Sequence, residues 1–269
     1  MTTTSAQLET AKPRGRSLLP HEHGAWGQLA MPLLTALAIG RPAAGSLLLT
    51  AAIVLAFVAH EPLLVVLGQR GWRVRQEDGA RALRWLVALA VLAAVTGLGG
   101  VLLAPPAARL ALLLPAGLAA AVAWLVHARR EKTTLGEVVV AAALASAAWA
   151  VALAGGAAAE AALAALLAWI LAFAAAILGV RVILVRVRSK GAEDPGRRNA
   201  VLAALLAVGA AALSWAGLPV AVALATLPTV ALSIVICLAR FSPKRLRELG
   251  WALVGSSAVT LAILVAALR

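Results

Sequence analysis

Two of the four histidines stand within three residues of each other, in the stretch Pro20-His21-Glu22-His23-Gly24-Ala25-Trp26-Gly27-Gln28. An imidazole can act as ligand, base or hydrogen-bond donor near neutral pH. The stretch leads into an apolar segment, so it sits at a helix start. A carboxylate such as Glu22 is favoured there by the helix dipole and a protonated histidine is not, which leaves both histidines leaning neutral. Gly24 and Gly27 leave room for a second backbone or a ligand. The plainer reading is an interfacial cap, with Trp26 in the aromatic belt of a membrane.

His60-Glu61-Pro62 is the second such feature. It falls in an apolar run, about seven residues and on the order of 10 Å from the end of that run. Ionisable groups at such a depth mark a functional or paired site. Pro62 removes a backbone hydrogen bond and kinks the helix. The structural alternative pairs Glu61 with an arginine, for which Arg181 is the expected partner. Arg181, Arg186 and Arg188 end a later apolar run, and Arg129, Arg130 and Lys132 form another basic group. Arginines at helix ends suit phosphate or diphosphate; they also snorkel to anionic headgroups. Glu137 reads as part of a helix cap. His21, His23, His60 and Glu61 have metal-ligating chemistry, but residues i and i+2 of a helix point apart, so no metal is assigned. The residues name no cofactor.

Elements of a particular kind have to carry these groups. The chain has 269 residues, is 63% hydrophobic and only 13% charged, yet has a formal net charge of +13. Its mean hydropathy is +0.96. Soluble domains carry about a quarter charged residues, and a nucleic-acid binder spreads its charge over a polar surface that is lacking here. Runs of about 20 apolar residues recur, each long enough to cross a bilayer. The fold class is therefore all-α, a polytopic transmembrane bundle. Residues 1–19 form a basic tail and residues 20–269 a single membrane domain. Helices are expected near 22–40, 46–69, 82–103, 108–128, 135–154, 158–187, 196–214, 217–239 and 245–268. The lone cysteine, Cys237, excludes a disulfide framework.

The charge falls on one side. Of the 24 Lys and Arg, 21 lie in the N-terminal tail and in the connections after spans 2, 4, 6 and 8, and three (Arg41, Arg109, Arg269) lie opposite. The positive-inside rule then places the N-terminus in the cytoplasm and the C-terminus outside a bacterial plasma membrane. Asp194-Pro195 and Ser242-Pro243 read as N-caps followed by a first-position proline, and Thr134-Leu135-Gly136-Glu137 as a capping box.

His23-Gly24-Ala25-Trp26, with Pro20 before it and Pro32 in the first span, resembles the opening signature of the YwiC-like bacterial membrane proteins. The likeness extends to the basic connection with Glu131 and to the span ending in Arg181, Arg186 and Arg188; it implies a membrane protein without an established activity. In layout the chain is also similar to UbiA-type prenyltransferases, which have nine spans and active-site loops after spans 2 and 6. That family binds Mg²⁺ and diphosphate through paired Asp-rich motifs. Here each of those loops holds one Asp, Asp78 and Asp194, the only two in the chain, and both are accounted for as helix caps.

These readings converge on a cytoplasm-facing polar pocket. His23, His60 and Glu61 are its candidate catalytic groups. His21, Glu22, Gln28, Arg129, Lys132, Arg181, Arg186 and Arg188 are its candidate ligand-binding residues, suited to an amphipathic anion such as an isoprenoid or lipid phosphate. The partners are then the bilayer and that small molecule, with no nucleic acid. The alternatives are a UbiA-like enzyme with degenerate motifs, and a transporter or accessory protein of a membrane complex.

Overall fold

A computed structural model describes residues 17–20, 23–130, 132–189, 192–239, 241 and 245–269, the side chain of His23 excepted. Among them the only regular structure is helical: α1 (His23–Ile39), α2 (Ala44–Val66), α3 (Trp72–Leu103), α4 (Pro106–Ala111), α5 (Leu113–His127), α6 (Thr134–Ala154), α7 (Ala159–Arg188), α8 (Gly196–Trp215), α9 (Ala221–Leu238) and α10 (Leu246–Leu268). Helices α4 and α5 make up one apolar stretch of 22 residues. It is interrupted at Leu112, and Pro115 has no N–H to return to the carbonyl of Ala111. Counted together they are one of eight helices, among the described residues, long and apolar enough to cross a membrane; α1 is apolar but shorter.

α6 and α7 occupy the middle. α1, α2, α4 and α5 pack on α6, α8 and α9 pack on α7, and α10 closes the ring against α9 and α1. Alanine makes this possible. Ala141, Ala145, Ala148 and Ala152 on α6, and Ala162, Ala165, Ala168 and Ala172 on α7, are all buried. Small side chains let helix backbones approach closely in lipid, where apolar faces alone supply little driving force. Between them Trp169 is the largest fully buried side chain; its Nε1 donates to Thr35 Oγ1 at 3.1 Å.

α3 lies at the edge, against α2, and shows the largest departure from expectation. It begins at Trp72, not near 82, so most of the basic stretch 70–84 is helix. The reason is tertiary: Val74, Asp78 and Ala82, one turn apart, are buried, and Val74 and Ala82 pack with Leu18 and Val65. With 32 residues α3 is about 48 Å long, about 18 Å more than the hydrocarbon core of a bilayer. The first turns lie at the basic end of the bundle, where Val74 and Ala82 pack with Val65 of the last turn of α2.

Candidate functional site

Glu61 is buried, 6% exposed, near the end of α2. Its partner is not Arg181 but Arg70, which donates Nε to Oε1 at 2.8 Å and Nη2 to Oε2 at 2.5 Å. This two-pronged geometry is the strong form of a carboxylate–guanidinium contact. The backbone explains how an arginine nine residues away arrives there. α2 ends with Gly68 N–H donating to Val65 and Gln69 N–H to Leu64, and Gly68 has φ +76°. Such a left-handed glycine closure reverses the chain. Gly71, φ +103°, then starts α3, and Arg70, held between the two glycines, points back at α2. Pro62 removes the N–H that would bond to Val58, which loosens the same turn of helix.

The N-terminal motif reaches this turn from two sides. The Trp26 ring packs edge-on against Phe57, with centroids 4.9 Å apart, and its Nε1 donates to the carbonyl of Pro20 at 3.1 Å. Leu18 is buried with Val65. Phe57, Glu61 and Val65 follow one another at intervals of one helical turn, so they share a face of α2. The two anchors of the segment, Trp26 and Leu18, therefore flank Glu61 along α2. His21 and Glu22 lie outside the described residues, as does the side chain of His23; the backbone of His23 begins α1. Gln28 is partly buried on α1 and His60 is exposed beside Glu61.

The other arginines are used elsewhere. Arg181 pairs with Glu137 at 2.9 Å and donates to the carbonyl of Lys132 at 2.9 Å, tying α7 to the start of α6. That start is capped by Thr133, whose hydroxyl accepts from Gly136 N–H, one residue earlier than the expected Thr134. Arg186 donates Nε and Nη2 to Asp194 Oδ1, Nη1 to the carbonyl of Ala239 at 2.9 Å and Nη2 to that of Cys237 at 2.8 Å. It thus fastens α7 to the C-terminal end of α9 and to the α7–α8 turn. Arg129, Arg130, Lys132 and Arg188 are exposed. Three ion pairs on three different helix junctions stand where one shared rim was expected.

The two aspartates differ in whether they meet the capping expected of them. Asp78 is inside α3, buried, with Arg81 at 3.4 Å. Asp194 accepts from Gly196 N–H at 3.0 Å across Pro195, which is the expected cap hydrogen bond, with the regular helix of α8 counted from Gly196. The Ser242-Pro243 cap falls outside the described residues. Among the described residues no three His, Cys, Asp or Glu side chains cluster as metal ligands. Arg70 is the residue that sequence reasoning missed: it was counted only as charge. The available signal was the Gly68-x-x-Gly71 spacing around it.

Residues 19–152, which run from the tail to the last turn of α6, match the family model described as YwiC-like protein. No curated protein and no solved structure matches the chain.

Proposed function

From a chain that belongs to the YwiC-like family through residues 19–152 and has the spans of a multi-pass membrane protein, we propose a binding function: an amphipathic anion, an isoprenoid or lipid phosphate, held at the α1–α2–α3 corner. The basic end faces the cytoplasm, by the same charge asymmetry that orients the nine spans, in a bacterial plasma membrane. One observation carries the reading. A buried carboxylate fixes a half-exposed arginine in fork geometry at the mouth of an apolar helix pair, between the two anchors of the His-Gly-Ala-Trp segment. A guanidinium oriented in this way matches phosphate as well as carboxylate. Arg73, Arg75 and Arg84 in the N-terminal part of α3 add positive charge at the same end of the bundle. The exposed apolar faces of α2 and α3 below, including Leu63, Val87 and Val91, provide a surface for a hydrocarbon tail.

In this reading Arg70 joins His21, Glu22 and Gln28 as a binding residue. Arg181 and Arg186 hold helices together. The proposal assigns His23, His60 and Glu61 to moving a proton at the bound head group.

The test uses purified protein in nanodiscs with farnesyl monophosphate as probe and farnesol and inorganic phosphate as controls. Binding of the phosphorylated lipid alone, weakened about tenfold or more by Arg70→Ala, is the expected result; losing a hydrogen bond to a charged group accounts for that much. Equal binding of farnesol, or an unchanged affinity in Arg70→Ala, overturns the proposal.

A further inference from the structure

Arg75, in the first turn of α3, lays its side chain back over the turn that carries Arg70. Its backbone N–H donates to the carbonyl of Gly71 at 3.1 Å, and Gly71 N–H donates to that of Gly68 at 3.0 Å. A Cβ placed on Gly68 would stand 3.4 Å from Arg75 Cδ and 3.7 Å from its Nη1, and one placed on Gly79 would stand 3.8 Å from its Cγ. The stem therefore runs between two residues that have no side chain, and the guanidinium ends at Gly68, two residues from Arg70. Arg70 has Glu61 and Arg81 has Asp78 as ion-pair partners. Arg75 is exposed and makes no hydrogen bond or ion pair among the described residues. Like charges held at one turn repel, and an anion between them turns the interaction favourable.

We infer that Arg70 and Arg75 are two arms of one cradle, and that the head group it takes is a phosphate monoester and not a diester. The inference rests on the binding function proposed above and assigns its class of ligand. Glu61 occupies the Nε–Nη2 edge of the Arg70 guanidinium. The end of that group, Nη1 with Nη2, is a second fork, and Arg75 brings another. A monoester has three terminal oxygens and a charge of about −1.5 to −2 at pH 7, so it can meet both forks. A diester has only two terminal oxygens and a single charge, which one fork satisfies. The phospholipids of the surrounding bilayer are diesters. The second arm is thus what separates a phosphorylated lipid from the membrane that contains it.

The test compares farnesyl monophosphate with its methyl ester, farnesyl methyl phosphate, on the purified protein in nanodiscs. The parent should bind the monoester about tenfold or more tightly than the diester, the scale of one charged hydrogen bond. Arg75→Gln should remove most of that preference by weakening the monoester alone. Arg75 has no ion pair to lose, so a melting temperature shared with the parent checks that the fold is intact. Arg130→Gln, which removes another exposed charge from the connection between α5 and α6, should leave the preference in place. Equal affinities for the two esters in the parent overturn the inference. So does a preference that survives Arg75→Gln, or one that Arg130→Gln abolishes as well. In each of these cases binding of the monoester that still depends on Arg70 leaves the proposed function standing; absence of that binding in the parent overturns both.

Discussion

Replacing Arg70 by alanine strands the Glu61 carboxylate. Breaking a buried ion pair by removing one partner costs about 3–5 kcal/mol, because the remaining charge is left without compensation. Here the Glu61 side chain is 8% exposed but that of Arg70 is 41% exposed, so solvent already screens one half of the pair. Exposed pairs contribute under about 1 kcal/mol, and an intermediate value of about 2 kcal/mol follows. For a chain of this size that corresponds to a fall in Tm of roughly 4–8 °C, read by tryptophan fluorescence in detergent. A double-mutant cycle isolates the cause. Glu61→Gln keeps the shape and a neutral acceptor, and in its background Arg70→Ala leaves no charge behind. The double variant should therefore be at least about 1 kcal/mol more stable than the sum of the singles. Arg70→Lys should recover part of the loss, since it returns the charge without the fork. If Arg70→Ala is equally damaging with Glu or Gln at position 61, the stabilisation comes from the Gly68–Gly71 turn, and the argument from the pair is wrong.

Three further outcomes follow from other junctions. Arg129 holds φ 54° at the end of α5, where its N–H donates to Val126 and that of Arg130 to Leu125; Arg129→Gly should relieve about 1 kcal/mol of left-handed strain and raise Tm, and a lower Tm would show that the side chain outweighs it. A methyl group on Gly196 would run into the carbonyl of Cys237, the Arg186 guanidinium and Asp194 Oδ1 together. Gly196→Ala should therefore cost about 3 kcal/mol, and a silent variant would mean that the Arg186 junction yields easily. Orientation can be read by labelling whole cells with an impermeant maleimide: Cys237, buried, stays unlabelled, Trp215→Cys becomes labelled and Thr133→Cys does not, whereas the reverse pattern inverts the topology.

Most spans were legible because a membrane helix is specified by a one-dimensional property, an apolar run of sufficient length. The failures occur where another element decides. The first turns of α3 read as a loop, since Arg-Val-Arg-Gln-Glu-Asp-Gly is polar and contains a glycine; they are helical because Val74, Asp78 and Ala82 find α2 and Leu18 to pack against. The break at Leu112 passed unseen because the residues around Pro115 are as apolar as those of an intact span. The cap of α6 was displaced by one residue because Thr133 and Thr134 are equally good caps and only the direction of the preceding turn chooses between them.

The candidate site was legible as residue types and not as pairings. Glu61 stood out because a carboxylate in an apolar run is costly, and that argument needs no neighbours. Its partner had to be chosen among 20 arginines, and where Arg181 was expected a glycine-bounded turn delivered Arg70. The outcome bears on where exchange with a ligand can occur. In the middle of the bundle the polar groups of α9 and α10 satisfy one another: Thr229 bonds Ser256 and Thr260 bonds the carbonyl of Ala225. Arg186, 16% exposed, has four donor contacts fixed by α9 and the α7–α8 turn, and releasing it would open two junctions together. Arg70 is on a short turn between two positive-φ glycines at the edge of the bundle, and a large part of it faces outward. At that edge Arg70 meets an incoming phosphate with Glu61 already orienting it and without either Arg186 junction opening, which is the physical reason for proposing the binding function at the corner of α1, α2 and α3.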